Sequence, residues 1–458
     1  MEDMELIEKE IIELLETKNY RALKFLIEDL AAADIAIIFE DMKREVLPLL
    51  FRILSKELAA EVFVDLEADT KELLIEGFSD FELKEVLDEL YLDDTVDIIE
   101  EMPANVVKRI LMHSDVEARE NINNILKYPK DSAGSIMTIE FVDLKKNMTV
   151  EDSFTRIRRT GLDKETIYTC YVTDENRVLL GLVSVKDLLL ADNDQIIGDI
   201  METNVIYVNT LDDREEAANS FSKYDFLALP VVDNEKRLVG IITVDDAIDV
   251  LQEENTEDIE KMAAIVPSDK PYAQTGVFEI VKKRIPWLLL LMISATVTGK
   301  IISSYESALE SCVILTAFMP MIMGTGGNSG GQTSATIIRS MSLNDIDMKD
   351  IFKVLWKEGR VSFCCGIVLA IANFVKMMLV DANSISMSGQ EPVLISVIVS
   401  LTLIVTIIFA KIIGAVLPLF AKKIKLDPAV VAGPFITTLV DAISVFVFFN
   451  IATQILKI

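Results

Sequence analysis

Residues 320–334 read Pro-Met-Ile-Met-Gly-Thr-Gly-Gly-Asn-Ser-Gly-Gly-Gln-Thr-Ser and hold five of the chain's 18 glycines. The surrounding sequence is strongly apolar. Glycine-rich backbone at membrane depth is costly unless it lines a cavity or packs closely on another helix. A phosphate-binding loop needs a preceding strand and a Gly-Lys-Ser/Thr ending, and this stretch has neither. Gly324, Thr325, Gly327, Asn328 and Gln332 are therefore candidates to line a wet lumen, with Thr336 a turn further on.

Outward from this stretch, apolar segments of membrane-spanning length begin near Ile285, Ala308, Val361, Val393 and Pro428. They predict five transmembrane helices, the second containing the glycines and running through Ile338. Basic residues cluster at Lys282–Arg284, between Arg339 and Arg360, and at Lys422, Lys423 and Lys425. The loops around Ser303–Ser311 and Asp381–Glu391 contain no Lys or Arg. The positive-inside rule then puts everything before the first span in the cytosol and the C-terminus outside.

Asp441 falls near the middle of the fifth apolar segment. A carboxylate at the bilayer centre costs roughly 2.5–3.5 kcal/mol on insertion scales, so it should face a polar cavity. Thr437 and Thr438 lie a turn before it, and Gly433 and Pro434 are expected to loosen the helix and free backbone carbonyls. Oxygen ligands around a carboxylate suit magnesium, a hard ion that keeps its water. The alternative is an Asp441 paired with Lys411 or capping a broken helix.

The chain is 51% hydrophobic and 26% charged, a combination that one globule rarely holds. Residues 271–458 carry 15 Lys/Arg and 11 Asp/Glu, whereas residues 1–270 carry 29 and 63, a net of −34. That field repels phosphates, which argues against nucleic acid as a partner, and it attracts cations. Four cysteines, Cys170, Cys312, Cys364 and Cys365, show no zinc-ligand spacing and no disulfide framework. The single histidine, His113, reads as structural, so no Ser-His-Asp or Cys-His chemistry can be built around it. Nothing here indicates an enzyme. The acidic, amphipathic N-terminus is not a signal peptide.

Residues 1–130 repeat short amphipathic helical units, which predicts an all-α, solenoid-like stack. Asp93 and Asp97, four apart, share a helix face with Asp94 and Glu100 nearby. Two similar α/β units follow, Thr166–Ala191 and Phe226–Leu251, each with an apolar strand, a polar turn, a second strand after Gly and an acidic helix start. Gly181 to Asp187 repeats as Gly240 to Asp246. These units resemble a tandem pair of CBS domains, which implies adenine-nucleotide contacts, as with ATP, at Ser184, Asp187, Thr243 and Asp246. A charged helix then leads to the first span, with Asp246, Asp249, Glu253, Glu254, Glu257 and Asp258 at helical spacing.

The expected organisation is a helical acidic domain (1–130), a first CBS domain (131–202), a second (203–250), a connector helix (251–282) and a five-helix membrane domain (283–458). Pro320–Gln332, Asp427–Pro434, Thr437–Asp441 and Tyr224–Pro230 together resemble the MgtE family of magnesium channels over essentially the whole chain. The resemblance implies a homodimer in the plasma membrane, with Asp441 as the pore carboxylate. It also implies regulatory magnesium sites at Asp93, Asp97, Asp213, Glu215, Asp225, Asp246, Asp249, Glu254, Glu257 and Asp258, and a connector that plugs the pore. The residues agree with it: divalent ions bridging a domain of net −34 would compact it, and a helix tied to the pore would transmit the change. The rival readings are a cation-coupled exchanger on the same fold and a membrane-anchored nucleotide sensor.

Overall fold

The computed structural model describes residues 2–268, 272, 275–343, 345–431 and 433–457. It divides into two compact units, Met1–Gln252 and Glu253–Ile458. Residues 269–271, 273 and 274 of the expected connector, and Ala432 of the Asp427–Pro434 motif, lie outside the described residues.

The first unit begins with helices that are mostly eight to ten residues long, from Tyr20–Glu28 to Val116–Ile125. Isolated helices this short are marginal in water, so packing must hold them. Their starts are set locally: Asn19, Ser55, Ser79 and Asp115 each accept a backbone N–H through the side chain. One continuous core runs from Ile11 to Ile125. The Phe51, Phe63 and Phe78 rings meet at its centre, 5.1–6.3 Å apart. Each such buried side chain contributes roughly 1.5–3 kcal/mol relative to exposure. His113 has a structural place, its Nε2 3.4 Å from Asp80, which Arg109 also contacts at 3.2 Å.

Two three-stranded sheets follow, of identical design. In the first, β1 (Phe141–Lys145) runs parallel to β2 (Thr166–Thr173), which pairs antiparallel with β3 (Leu179–Ser184). In the second, β4 (Val208–Asn209), β5 (Ala228–Val232) and β6 (Leu238–Thr243) repeat the pattern. The repeated glycine has one cause in both. A Cβ at Gly181 would strike the Glu202 carbonyl and Met201, and one at Gly240 the Thr138 carbonyl and Met137. Thr138 and Ile241 exchange two backbone hydrogen bonds of 2.8 Å. Ala133 and Met137 lie in the core of the second sheet, so the chain enters the pair by crossing to the far module. The connector helix, Val244–Met262, follows β6 directly.

The second unit is helical. Among the described residues, four stretches are long and apolar enough to cross a membrane: Val277–Ser304, Met348–Met387, Pro392–Lys423 and Pro428–Leu456. The glycine stretch lies within a regular 24-residue helix, Met319–Ser342. At 1.5 Å per residue it is about 36 Å long, enough to span, but its polar centre keeps it out of the apolar set. It starts later than the position near Ala308 suggested. The chain breaks at Cys312 (φ −148°), passes through a 3₁₀ turn, Val313–Phe318, and restarts where Pro320 sits at the first helical positions. Gly433 and Pro434 likewise mark the start of the last helix, Gly433–Leu456, rather than an interruption within it. Gly433 takes φ +39°, a conformation that favours glycine.

Candidate metal centre and membrane crossing

Parallel register builds the acidic site in the first unit. Phe141 pairs with Thr166 at the start of β1 and β2. The residues just before them, Glu140 and Glu165, are therefore side by side, and the Glu165 N–H donates to the Glu140 carbonyl at 2.9 Å. Against them lies the first turn of the helix Leu92–Glu101, whose N-cap residue Tyr91 makes no side-chain cap and in which Asp93 Oδ1 accepts the Asp94 N–H at 3.0 Å. Glu140 Oε2 accepts the Leu92 N–H at 3.2 Å and so caps it from another domain. Asp93 and Asp94 occupy that first turn, where the helix dipole favours negative charge. One oxygen from each of Asp93, Glu140 and Glu165 lies within 4.8 Å of the others. Asp93 is only 8% exposed, and Glu165 Oε2 is buried with no hydrogen-bond partner.

Burial is the leading cause of raised carboxyl pKa values throughout this cluster. Glu165 is pushed up to about 8, with Asp94, Asp245 and Asp246 adding repulsion. Asp94 is pushed up to about 6 by burial and then Asp245. Asp93 and Asp246 are both raised by burial, Asp93 next by Asp246 itself; the Thr243 hydroxyl, 2.6 Å from Asp246, partly offsets the shift there. Asp97 is raised by burial and then by Asp246, although its exposed position lets water damp the effect. Glu140 is raised by burial as well, and six acidic groups that resist ionising together call for a proton or a cation. A divalent ion with oxygen ligands meets that need and would tie the helical domain to the CBS pair.

Of the ten expected regulatory residues, three are brought together here: Asp93, Asp97 and Asp246. Asp213 and Asp225 sit at opposite ends of the helix Arg214–Tyr224; Asp213 caps its start, holding the Glu215 N–H at 2.8 Å, and Asp225 ends it at φ +54°. Asp249 and Glu254 lie along the connector helix. Within the second unit, Glu257 pairs with Lys261, which also reaches Asp427 at 2.6 Å. Asp258 is raised by burial and by Asp427. The nucleotide candidates form matching pairs: Ser184 with Asp187, closing a capping box, and Thr243 with Asp246. Glu140 and Glu165 were missed by sequence reasoning; the only signal was an acidic residue immediately before each of two strands.

The glycine helix has two faces. Gly326, Gly327 and Gly330 are buried, whereas Gly324, Asn328, Gln332 and Thr336 form an exposed i, i+4 stripe on this chain, with Thr325 half-buried beside it. A Cβ at Gly326 would lie 2.7 Å from Thr406 Cγ2 and 3.0 Å from Ser444 Oγ. One at Gly327 would lie 3.0 Å from Thr437 Cγ2, and one at Gly414 would strike the Gly330 backbone. Glycine thus permits the close crossing with Pro392–Lys423 and Gly433–Leu456. The Thr437 and Thr438 hydroxyls donate to the Pro434 carbonyl at 2.9 and 2.8 Å, leaving their oxygens free to accept. Asp441 is half-buried and, among the described residues, has no hydrogen-bond or ion-pair partner. The alternative pairing with Lys411 does not form: Lys411 lies 3.8 Å from Glu358 instead.

Comparison with known proteins agrees with this division. The MgtE divalent cation transporter family matches residues 319–451, the MgtE intracellular N domain residues 7–131, and the CBS domain residues 133–194 and 197–253. A magnesium transporter MgtE of Thermus thermophilus is 35% identical over 449 residues, 97% of each chain. That of Bacillus subtilis is 32% identical over 444 residues, 97% of this chain and 96% of its own. A crystal structure of the cytosolic domain of the Mg2+ channel MgtE in complex with ATP is 36% identical, covers 53% of this chain and 99% of its own, and superposes with a TM-score of 0.51. A helical acidic domain, a CBS pair and a helical membrane region occur here in that family's order, and the chain belongs to the MgtE family.

Proposed function

We propose that this protein is a magnesium channel of the plasma membrane, working as a homodimer and closed from the cytosolic side by magnesium itself. The observation that carries the reading is the Asp93–Glu140–Glu165 cluster, with oxygens within 4.8 Å and a buried, unpartnered Glu165 Oε2. Two ionised carboxylates at such a distance repel by about 3–4 kcal/mol at an effective dielectric of 20. A bound Mg2+ reverses that sign and draws the helical domain onto the CBS pair. When cytosolic magnesium falls, the repulsion returns and the domains part. The remaining expected regulatory carboxylates extend this response, Asp213, Glu215 and Asp225 around the helix Arg214–Tyr224 and Asp249, Glu254, Glu257 and Asp258 along the connector.

In this reading the Met319–Ser342 helix also spans the membrane, second in chain order, and brings the spans to five; its exposed stripe and Asp441 face the partner across the ion path. A hydrated Mg2+ would meet the Asp441 carboxylate there, with the oxygens of Thr437 and Thr438 nearby. The C-terminus lies outside. ATP or another adenine nucleotide binds the CBS pair at Ser184, Asp187 and Thr243. No catalysis is assigned, and neither the coupled exchanger nor the nucleotide sensor is favoured: the relatives are named magnesium transporters.

The test is Mg2+ influx into liposomes bearing the full-length protein, without sodium or proton gradients and with the magnesium on the cytosolic face defined. Influx at low cytosolic-side magnesium that ceases at millimolar levels is expected. Asp441→Ala should abolish it while leaving the protein folded. Undiminished flux in that variant would reject Asp441 as the pore carboxylate.

A further inference from the structure

Lys411, which is buried, and Glu358, which is partly buried, are charges of the membrane unit to which the reading above gives no role. Lys411, on the helix Pro392–Lys423, is 7% exposed, and the Glu358 side chain, on Ile351–Lys376, is 15% exposed. Lys411 Nζ donates to Thr333 Oγ1 at 3.1 Å, and the Thr333 hydroxyl donates to Glu358 Oε2, also at 3.1 Å. The ammonium and carboxylate are 3.8 Å apart. Three helices meet at this triad, and Thr333 belongs to the glycine helix itself.

Its position gives the pair meaning. A Cβ at Gly330 would lie 3.1 Å from the Ala410 carbonyl and 3.4 Å from Val440 Cγ2. Lys411 follows Ala410 and Asp441 follows Val440 in the chain. The lysine and the aspartate thus follow, on two different helices, residues that approach the same glycine, yet among the described residues only the lysine has a partner. A buried ion pair is poor evidence for stability, because well-packed apolar side chains often serve as well. Ionisable groups within a membrane domain mark function far more often. A bare ammonium beside a path for a divalent cation would repel the cargo.

We infer that Glu358 is a positioning residue for transport, holding Lys411 through Thr333 and masking its charge from the cation that approaches Asp441. The inference rests on the transport reading.

The test is Mg2+ influx through the full-length protein in liposomes, with size-exclusion profile and thermal melt recorded for every variant. Glu358→Gln keeps the side chain's shape and its acceptor for Thr333 but unmasks the lysine, so influx should fall by at least about tenfold. Lys411→Met leaves an extra carboxylate and should conduct at the parent's level or above. The double variant should return to within about threefold of the parent, and Glu358→Asp should stay close to it. This asymmetry separates masking from a structural clamp, which would make the two single variants equally defective. Equal losses in both, or parent-level influx in Glu358→Gln, would overturn the inference while leaving the transport reading intact. Should Glu358→Gln not fold, Lys411→Met decides: parent-level influx supports masking and a tenfold loss rejects it. A parent without Mg2+ influx would bring down both readings.

Discussion

The acidic junction of the first unit and the glycine crossing of the second are opposite solutions to holding elements together. At the crossing, backbones touch: Gly414 sits on Gly330, and the charges of Lys411 and Glu358 are paired 3.8 Å apart. At the junction, like charges are gathered and Glu165 Oε2 is left without a partner. The crossing is complete as the chain folds. The junction is completed only by a proton or a cation, and it can therefore respond to one. A rigid pathway and a reversible sensor require this difference in chemistry.

The largest effect should come from spoiling the crossing. Gly414→Val sets a branched side chain where even a Cβ strikes the Gly330 backbone, and backbone cannot step aside as a flexible side chain can. Overpacking of this kind costs about 1–3 kcal/mol where neighbours can yield, and more where they cannot. We expect loss of the monodisperse folded protein in detergent, and with it all Mg2+ influx. Gly331→Ala is the control, since nothing lies within 4 Å of its missing Cβ. Equal yields and melts of the two variants would mean that the close crossing is not required.

These two regions also differ in how far the sequence discloses them. Five glycines in an apolar setting have few physical readings, and close packing was among them. The repeated Gly181 and Gly240 disclosed the paired α/β modules because each serves the same close approach. Asp441 stood out in the sequence because a charge in a long apolar segment has no trivial explanation; its place on the ion path is the reading proposed above. The junction was half legible: the spacing of Asp93 and Asp97 gave one wall. The other wall, Glu140 and Glu165, depends on the parallel register of Phe141 with Thr166, which no local pattern encodes. The Lys411–Glu358 pair was hidden for the same reason, since its partners lie on different helices. The late start of the glycine helix was missed because the break at Cys312 lies inside an apolar run that reads as continuous.

A smaller effect is expected at the junction. Glu165→Gln keeps the side chain's size but removes one of three clustered carboxylates, so a divalent ion loses a ligand while the apo cluster loses repulsion. Metal–oxygen contacts outweigh a partly screened repulsion, so loss of the ligand should dominate. The variant should need roughly tenfold more Mg2+ to close, the equivalent of about 1.4 kcal/mol. Protection of the helix Leu92–Glu101 from hydrogen exchange should shift to higher magnesium in parallel. A shift in neither readout would make Glu165 a bystander.

The smallest effect is a pH dependence that appears only without magnesium. Glu165 is raised from an ordinary value of 4.5 to about 8, and Asp94 from 3.8 to about 6, in both cases mainly by burial. A carboxyl with a raised pKa in the packed state binds a proton more tightly there than when the junction opens. Its contribution to packing is fully present below the ordinary value and is lost as pH rises through the raised one. With the metal chelated, the junction should therefore be tighter at about pH 5.5 than at about pH 8.5, the loss accruing between the ordinary and the raised value of each group and so coming mainly from Glu165 over this range. Both groups keep some contact with water, so screening reduces the effect to about 1 kcal/mol. Saturating Mg2+ should flatten or reverse the dependence, because an ion that needs deprotonated ligands competes with the proton and gains as pH rises. Hydrogen exchange of Leu92–Glu101 in the full-length protein, with chelator and with magnesium at both pH values, reads all four states. Chelated protein better protected at the higher pH would show that the cluster is not held apart by its own charge, and the contrast between a proton- or ion-completed junction and a self-sufficient crossing would fail.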